Sequence, residues 1–237
     1  MDLPQALHSV AVDLDRIDAS AMFFGASVLE AYIDRKEMLD EELRPTEDVD
    51  VVLLLDRGGR GRNVAVAVEQ ELQRQGWRHD LRPDRKNPHA FISPSGVPVD
   101  IVMDRLYPQD DWVIRASEAP EELSLGPGRT IRIPTPAYFL ACKVAASRNL
   151  ERWEGQYYSH DLEDMSVLLA GCSTLLLSAE AGPPELRENI ATWAIELLRK
   201  DTPYGEAAHA LVLDNAPRAA DVGEIEALLN ELARLAG

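Results

Sequence analysis

Val49-Asp50-Val51-Val52-Leu53-Leu54-Leu55 is the stretch on which the fold turns. An unbroken run of β-branched and leucine side chains predicts a strand buried on both faces. Asp50 alone interrupts it. A carboxylate in such a run costs several kcal/mol or more unless something compensates its charge. Asp100 interrupts a second apolar strand in the same way, within Val97-Pro98-Val99-Asp100-Ile101-Val102. Asp48 lies two residues before Asp50, and strand alternation puts both side chains on the same side. Two carboxylates held together repel one another unless a cation lies between them. Mg²⁺ (or Mn²⁺) is the natural choice, because hard oxygen ligands suit it. If the two strands are neighbours, Asp48, Asp50 and Asp100 form a three-carboxylate set of the kind that holds two metals about 4 Å apart. The competing reading leaves Asp48 as a solvated residue at a strand start, since a DxD arises often by chance in an acidic chain.

Outward from these strands, the pattern before them is helix, strand, helix. Leu3, Leu7, Val10, Leu14 and Ile17 recur at helical spacing. Met22–Phe24 is a short apolar run closed by Gly25, and a helical pattern follows from Ser27 to about Met38. Asp56 to Gly61 reads as a loop, and Asn63 to Gln75 as a helix stopped by Gly76. Trp77–Leu81, His89–Ser93 and Val97–Met103 read as short strands, the last two joined by the turn Ser93-Pro94-Ser95-Gly96. Trp112–Ala116 and Thr130–Ile133 are predicted as added edge strands. From Pro134 the character changes. Thr135–Arg148, Ser159–Ala170, Pro184–Lys200, Tyr204–Leu213 and Val222–Leu235 all predict helices. The expected class is α+β: a mixed sheet with flanking helices over residues 1–133, then a helical domain over 134–237 that completes a cleft.

Composition bounds the partners. The chain has 237 residues, 46% of them hydrophobic, which suffices for a sizeable core. Its formal charge of -17 disfavours an extensive grip on nucleic acid. A local groove built from Arg57, Arg60, Arg62, Arg82, Arg85 and Lys86 is still compatible with it. Cys142 and Cys172 lie in apolar helical contexts without a CxxC partner, and are expected to be buried free thiols of a reducing compartment. The start of the chain lacks a basic segment followed by an apolar run, and no apolar stretch reaches the roughly 18 residues of a membrane span. A cytoplasmic protein without membrane partners is the expectation.

Gly25-Ala26-Ser27, Arg44-Pro45-Thr46-Glu47-Asp48-Val49-Asp50 and Val99-Asp100-Ile101 together resemble the polymerase-beta-like nucleotidyltransferase superfamily, and most nearly its AbiEii-type toxin nucleotidyltransferases and their uncharacterised relatives. Lys143-Val144-Ala145-Ala146-Ser147-Arg148 and Asp161-Leu162-Glu163-Asp164 are similar to the family's later motifs. The resemblance thus runs from Phe23 to Leu169. It implies a metal-dependent transfer of a nucleoside monophosphate from an NTP to an acceptor (a small molecule, a protein or tRNA), with Asp48, Asp50 and Asp100 as metal ligands. A toxin of a toxin–antitoxin pair, with an antitoxin protein as partner, is part of that implication. Ala26 departs from the family's Gly or Ser and motivates an alternative, a catalytically inactive nucleotide-binding or interaction protein of the same fold.

Each further residue carries two readings. Gly25 and Ser27 meet the nucleotide phosphates by resemblance, helped by the exposed N–H groups of a helix start; otherwise they form a plain strand-to-helix turn with Ser27 as its cap. Arg44 pairs with a phosphate or an aspartate, or is a surface arginine. Lys143 contacts the triphosphate by resemblance, or snorkels to the surface from an apolar helix. Asp161 contributes to acceptor activation, or sits in a helix first turn where negative charge is favourable. Arg148 lies about 140° round the helix from Lys143 and could instead join its helix to Asp161 or Asp164. His160 reads as a surface histidine. Gly58-Gly59-Arg60-Gly61 lacks the Gly-Lys-Ser/Thr of a P-loop.

Overall fold

A computed structural model describes residues 2–17, 19–35, 46, 48–55, 62–82, 87–104, 111–149, 159–214, 216, 217 and 220–236. The chain divides into two compact units, one of Met1–Val28 with Pro45–Pro134 and one of Leu29–Arg44 with Thr135–Gly237. A single cut after residue 133 would therefore leave Leu29–Arg44 on the wrong side.

The first unit opens with α1 (Leu3–Leu14), capped by the Asp2 carboxylate, which accepts from the Gln5 N–H at 2.9 Å. Leu7, Val10, Ala11 and Leu14 form its buried stripe. Five strands follow: β1 (Ser20–Phe24), β2 (Val49–Leu54), β3 (Arg78–His79), β4 (Ala90–Ile92) and β5 (Pro98–Met103). They form one mixed sheet in the order β1-β2-β5-β4-β3. Only β2 and β5 run parallel; the other pairs are antiparallel. A parallel pair needs a long crossover, and here α2 (Arg62–Arg74), β3 and β4 lie between the two strands in sequence. Val49, Val51, Val52 and Leu53 are buried as the apolar run predicts. The β4–β5 turn closes through the Gly96 N–H onto the Ser93 carbonyl at 2.9 Å, with Gly96 at φ 88°.

Several expectations are corrected. The helical pattern predicted from Ser27 is a 3₁₀ helix that starts at Gly25 and ends at Tyr32. Trp112–Ala116 is no strand but the body of α3 (Trp112–Glu118). Asp111 caps it, accepting from the Val113 N–H at 2.8 Å, and the Arg115 guanidinium covers the Trp112 ring at i, i+3. A short apolar run cannot reveal its period, so the cap decided the element. Thr130–Ile133 (β7) does not extend the main sheet. It pairs with β6 (Glu121–Ser124), a strand that its charged sequence concealed, in a two-stranded sheet of its own.

The second unit is helical: α4 (Pro136–Ser147), α5 (His160–Gly171), α6 (Leu175–Glu180), α7 (Pro184–Arg199), α8 (Pro203–Asp214) and α9 (Val222–Ala233). Of these, α6 was not anticipated. Its Leu-Leu-Leu run has no polar alternation from which to read a helix. Leu186, Ile190, Trp193, Ala194 and Leu197 line the buried side of α7, which packs against α4, α8 and α9. Residues 29–35 belong here for a local reason. Ile33 fits against Gly171, where a Cβ would lie 2.8 Å from two of its carbons. The next residue, Asp34, donates its N–H to the Gly171 carbonyl at 3.1 Å. The Asp34 carboxylate accepts from the Ser173 N–H at 3.1 Å and from the Ser173 hydroxyl, and those bonds hold it below the usual carboxylate range.

Candidate functional site

The register of the central sheet assembles the site. Asp50 on β2 sits directly opposite Asp100 on β5, and on its other side opposite Phe24 of β1. Residues in register share a face of the sheet, so the two carboxylates that broke their apolar strands are neighbours. Both are half-buried. Gly25 follows Phe24 at φ 66°. A Cβ there would lie 1.9 Å from Asp50 Oδ2 and 2.6 Å from its Cγ. Gly25 is therefore required twice over, by its left-handed backbone and by the carboxylate seated against it.

The other predicted residues take up defined places. The Ser27 hydroxyl is 1% exposed and donates back across the turn to the Phe24 carbonyl at 2.8 Å; it does not accept a backbone N–H as a cap would. Asp48 lies one residue before β2 and is half-buried. The Thr46 hydroxyl donates to the Asp48 carbonyl at 2.8 Å and lies 3.3 Å from its Oδ1. Among the described residues, no group of three or more His, Cys, Asp or Glu side chains is arranged to hold a metal ion. Asp50 and Asp100 are the pair that the register of the sheet brings side by side. Arg44, and Arg57, Arg60, Arg85 and Lys86 of the basic set, lie outside the described residues. Arg82 is exposed, and its guanidinium forks onto buried Asp80, with Nη2 2.7 Å from Oδ2.

Sequence reasoning missed Asn87. Its Nδ2 donates to Asp100 Oδ2 at 2.7 Å, while its Oδ1 accepts from the His89 N–H at 3.0 Å. The second bond is an Asx turn, which the Asn-Pro dipeptide at Asn87-Pro88 could have signalled.

In the second unit, Lys143 on α4 is buried with Asp161 and Asp164 of α5. Its Nζ lies 3.2 Å from Asp161 Oδ1 and 2.5 Å from Asp164 Oδ2, and 5.6 Å from the centre of the Phe139 ring. Asp161 and Asp164 share a helix face at i, i+3, which lets one ammonium meet both. Arg148 does not join the two helices, contrary to the alternative raised from sequence. Its place further round α4 takes it to Glu196 of α7 at 2.8 Å and over the Tyr204 ring at 4.7 Å. His160 is a partly exposed residue 3.5 Å from Glu163. Both cysteines are buried thiols in no disulfide, and burial pushes the Cys172 thiol up.

An α+β fold with a mixed five-stranded sheet, a glycine turn against one strand carboxylate and a helical second part defines the class. No protein-family model matches the chain, and no curated protein does. Among solved structures it is similar to an antigenic nucleotidyltransferase-like protein from Paracoccidioides brasiliensis, at 18% identity and a TM-score of 0.51, over 88% of this chain and 92% of the other. The fold is accordingly nucleotidyltransferase-like.

Proposed function

We propose that this protein is a metal-dependent nucleotidyltransferase that moves a nucleoside monophosphate from an NTP to an acceptor. The observation that carries this is the in-register pair Asp50–Asp100 with Gly25 fitted onto Asp50. Mg²⁺ usually binds through one or two carboxylates together with substrate phosphates, so the hard oxygens of this pair fit it without a third ligand. Bound there, Mg²⁺ (or Mn²⁺) would neutralise charge on the phosphates. The chain's own contribution is to hold two carboxylates side by side and to bring backbone close to them at Gly25. The acceptor oxygen attacks the α-phosphorus, the bond from that phosphorus to the leaving oxygen breaks, and pyrophosphate departs. Asp100 receives the acceptor's proton. Catalysis is positioning and charge neutralisation rather than covalent chemistry.

The acceptor is a small molecule, a protein or tRNA; the charge of -17 favours a cationic small molecule over a polyanion. The resemblance to AbiEii-type toxins adds the reading of a toxin with an antitoxin partner. The test is incubation of the protein with labelled NTP, Mg²⁺ and cell extract. One fraction should become labelled with release of pyrophosphate, and Asp50→Asn should label nothing while keeping its fold. Undiminished labelling by that variant would sink the proposal. One observation favours the second reading, an inactive nucleotide-binding protein: Lys143 and Asp161 are engaged with one another. That reading expects calorimetric uptake of NTP–Mg²⁺ with no pyrophosphate from any acceptor.

A further inference from the structure

Asn87 is fixed at both ends of its amide. Oδ1 accepts from the His89 N–H two residues on, which sets the plane of the side chain, and Nδ2 then donates to Asp100 Oδ2 at 2.7 Å. The backbone behind it is also tied. The Ala90 N–H donates to the Asn87 carbonyl at 3.1 Å, and Ala90 stands opposite Asp100 in the β4–β5 ladder. The donor is thus held in the turn that leads into β4, the strand adjoining the carboxylate that it meets. Asp100 and Asp50 are like charges in register, so each pushes the other away. An amide donor on one oxygen of Asp100 opposes that push and fixes the rotation of its carboxylate. Asp50 is restrained differently, by the close approach of Gly25.

We propose that Asn87 is a positioning residue for Asp100, holding its carboxylate in the orientation in which the pair with Asp50 receives a divalent cation. This rests on the functional reading given above. Groups that hydrogen-bond to a metal ligand orient it, and their loss typically lowers metal affinity about 10–100-fold.

The test compares Asn87→Ser, Asn87→Ala and Asp50→Asn in the full chain. Mn²⁺ affinity is read from the electron paramagnetic resonance of the free ion, and folding from thermal unfolding. Serine can keep the turn onto the His89 N–H, as serine hydroxyls do in such turns, but is too short to reach Asp100. It separates the positioning role from the turn. The expected result is a Mn²⁺ affinity about 10–100-fold weaker in both Asn87 variants, with the unfolding temperature of Asn87→Ser close to that of the unaltered chain. The side-chain amide signals of Asn87, assigned by their loss in Asn87→Ser, should also move in Asp100→Ala. Undiminished Mn²⁺ affinity in Asn87→Ser beside lost affinity in Asp50→Asn overturns the role of Asn87 and leaves the functional reading standing. Undiminished affinity in Asp50→Asn, or no Mn²⁺ uptake by the unaltered chain, overturns the functional reading itself, whatever the amide signals show.

Discussion

Replacing Gly25 by alanine tests whether the turn and the carboxylate were shaped for one another. Two separable costs follow from the geometry. Holding an L-residue at φ 66° costs about 1–2 kcal/mol. The new methyl would also lie 1.9 Å from Asp50 Oδ2, so the carboxylate must retreat by about 1.5 Å to reach the ordinary contact of 3.4 Å. Forcing atoms into such a packed place costs about 1–3 kcal/mol. Gly25→Ala should therefore destabilise the fold by about 2–5 kcal/mol. In an Asp50→Ala background the clashing oxygen and Cγ are gone, and only the Asp50 Cβ contact at 3.0 Å is left. The cost should then fall toward the backbone value of about 1–2 kcal/mol. Urea unfolding of the four proteins in this cycle measures the coupling directly, and about 1–3 kcal/mol is expected. Equal costs in the two backgrounds, with coupling below about 0.5 kcal/mol, would refute the reasoning. The shift should also remove function. A misplacement of about 1 Å can cost a hundredfold in rate, so Gly25→Ala should lose labelling activity even at temperatures where it stays folded.

Two further outcomes concern the helical unit. Lys143→Met leaves two buried carboxylates without their shared ammonium and should cost about 3–5 kcal/mol in chemical denaturation, whereas the triple variant with Asp161→Asn and Asp164→Asn should recover most of that loss. A cost for Lys143→Met within about 0.5 kcal/mol would deny the ion pair any structural weight. His209 is held below its ordinary value of 6.5 by burial and by Lys200, against an opposing pull from Glu226. The unfolded chain therefore takes up this proton at a higher pH than the folded one. Its contribution to stability is complete above about pH 6.5 and is lost as pH falls toward the folded value. His209→Gln should flatten that part of the stability profile measured by urea titration at successive pH values; an unchanged slope would assign it to other groups.

Much of this molecule is legible in its sequence because a charge stands out within an apolar run, even though in β5 only alternate residues, Val99 and Ile101, are buried and Asp100 lies on the other face. Asp50 and Asp100 are marked by that contrast alone, without knowledge of their neighbours. Helices with strong periodicity or clear caps, such as Leu3–Leu14 and Pro136–Ser147, are readable for similar local reasons. Trp112–Glu118 and Leu175–Glu180 were not, because runs as short as Trp112-Val113-Ile114 and Leu175-Leu176-Leu177 carry no period.

Sequence by itself determined the two carboxylate-bearing strands, the glycine turn before them and the change to helices at Pro134. Those are properties of composition and spacing along the chain. Tertiary structure alone decided that β2 and β5 are parallel neighbours with Asp50 opposite Asp100, that Gly25 lies against Asp50, and that Asn87 reaches Asp100. It also gave Lys143 to Asp161 and Asp164 rather than to solvent. Register and contact between distant segments depend on which surfaces bury one another, and that information is spread over the whole chain rather than held in any one stretch of it.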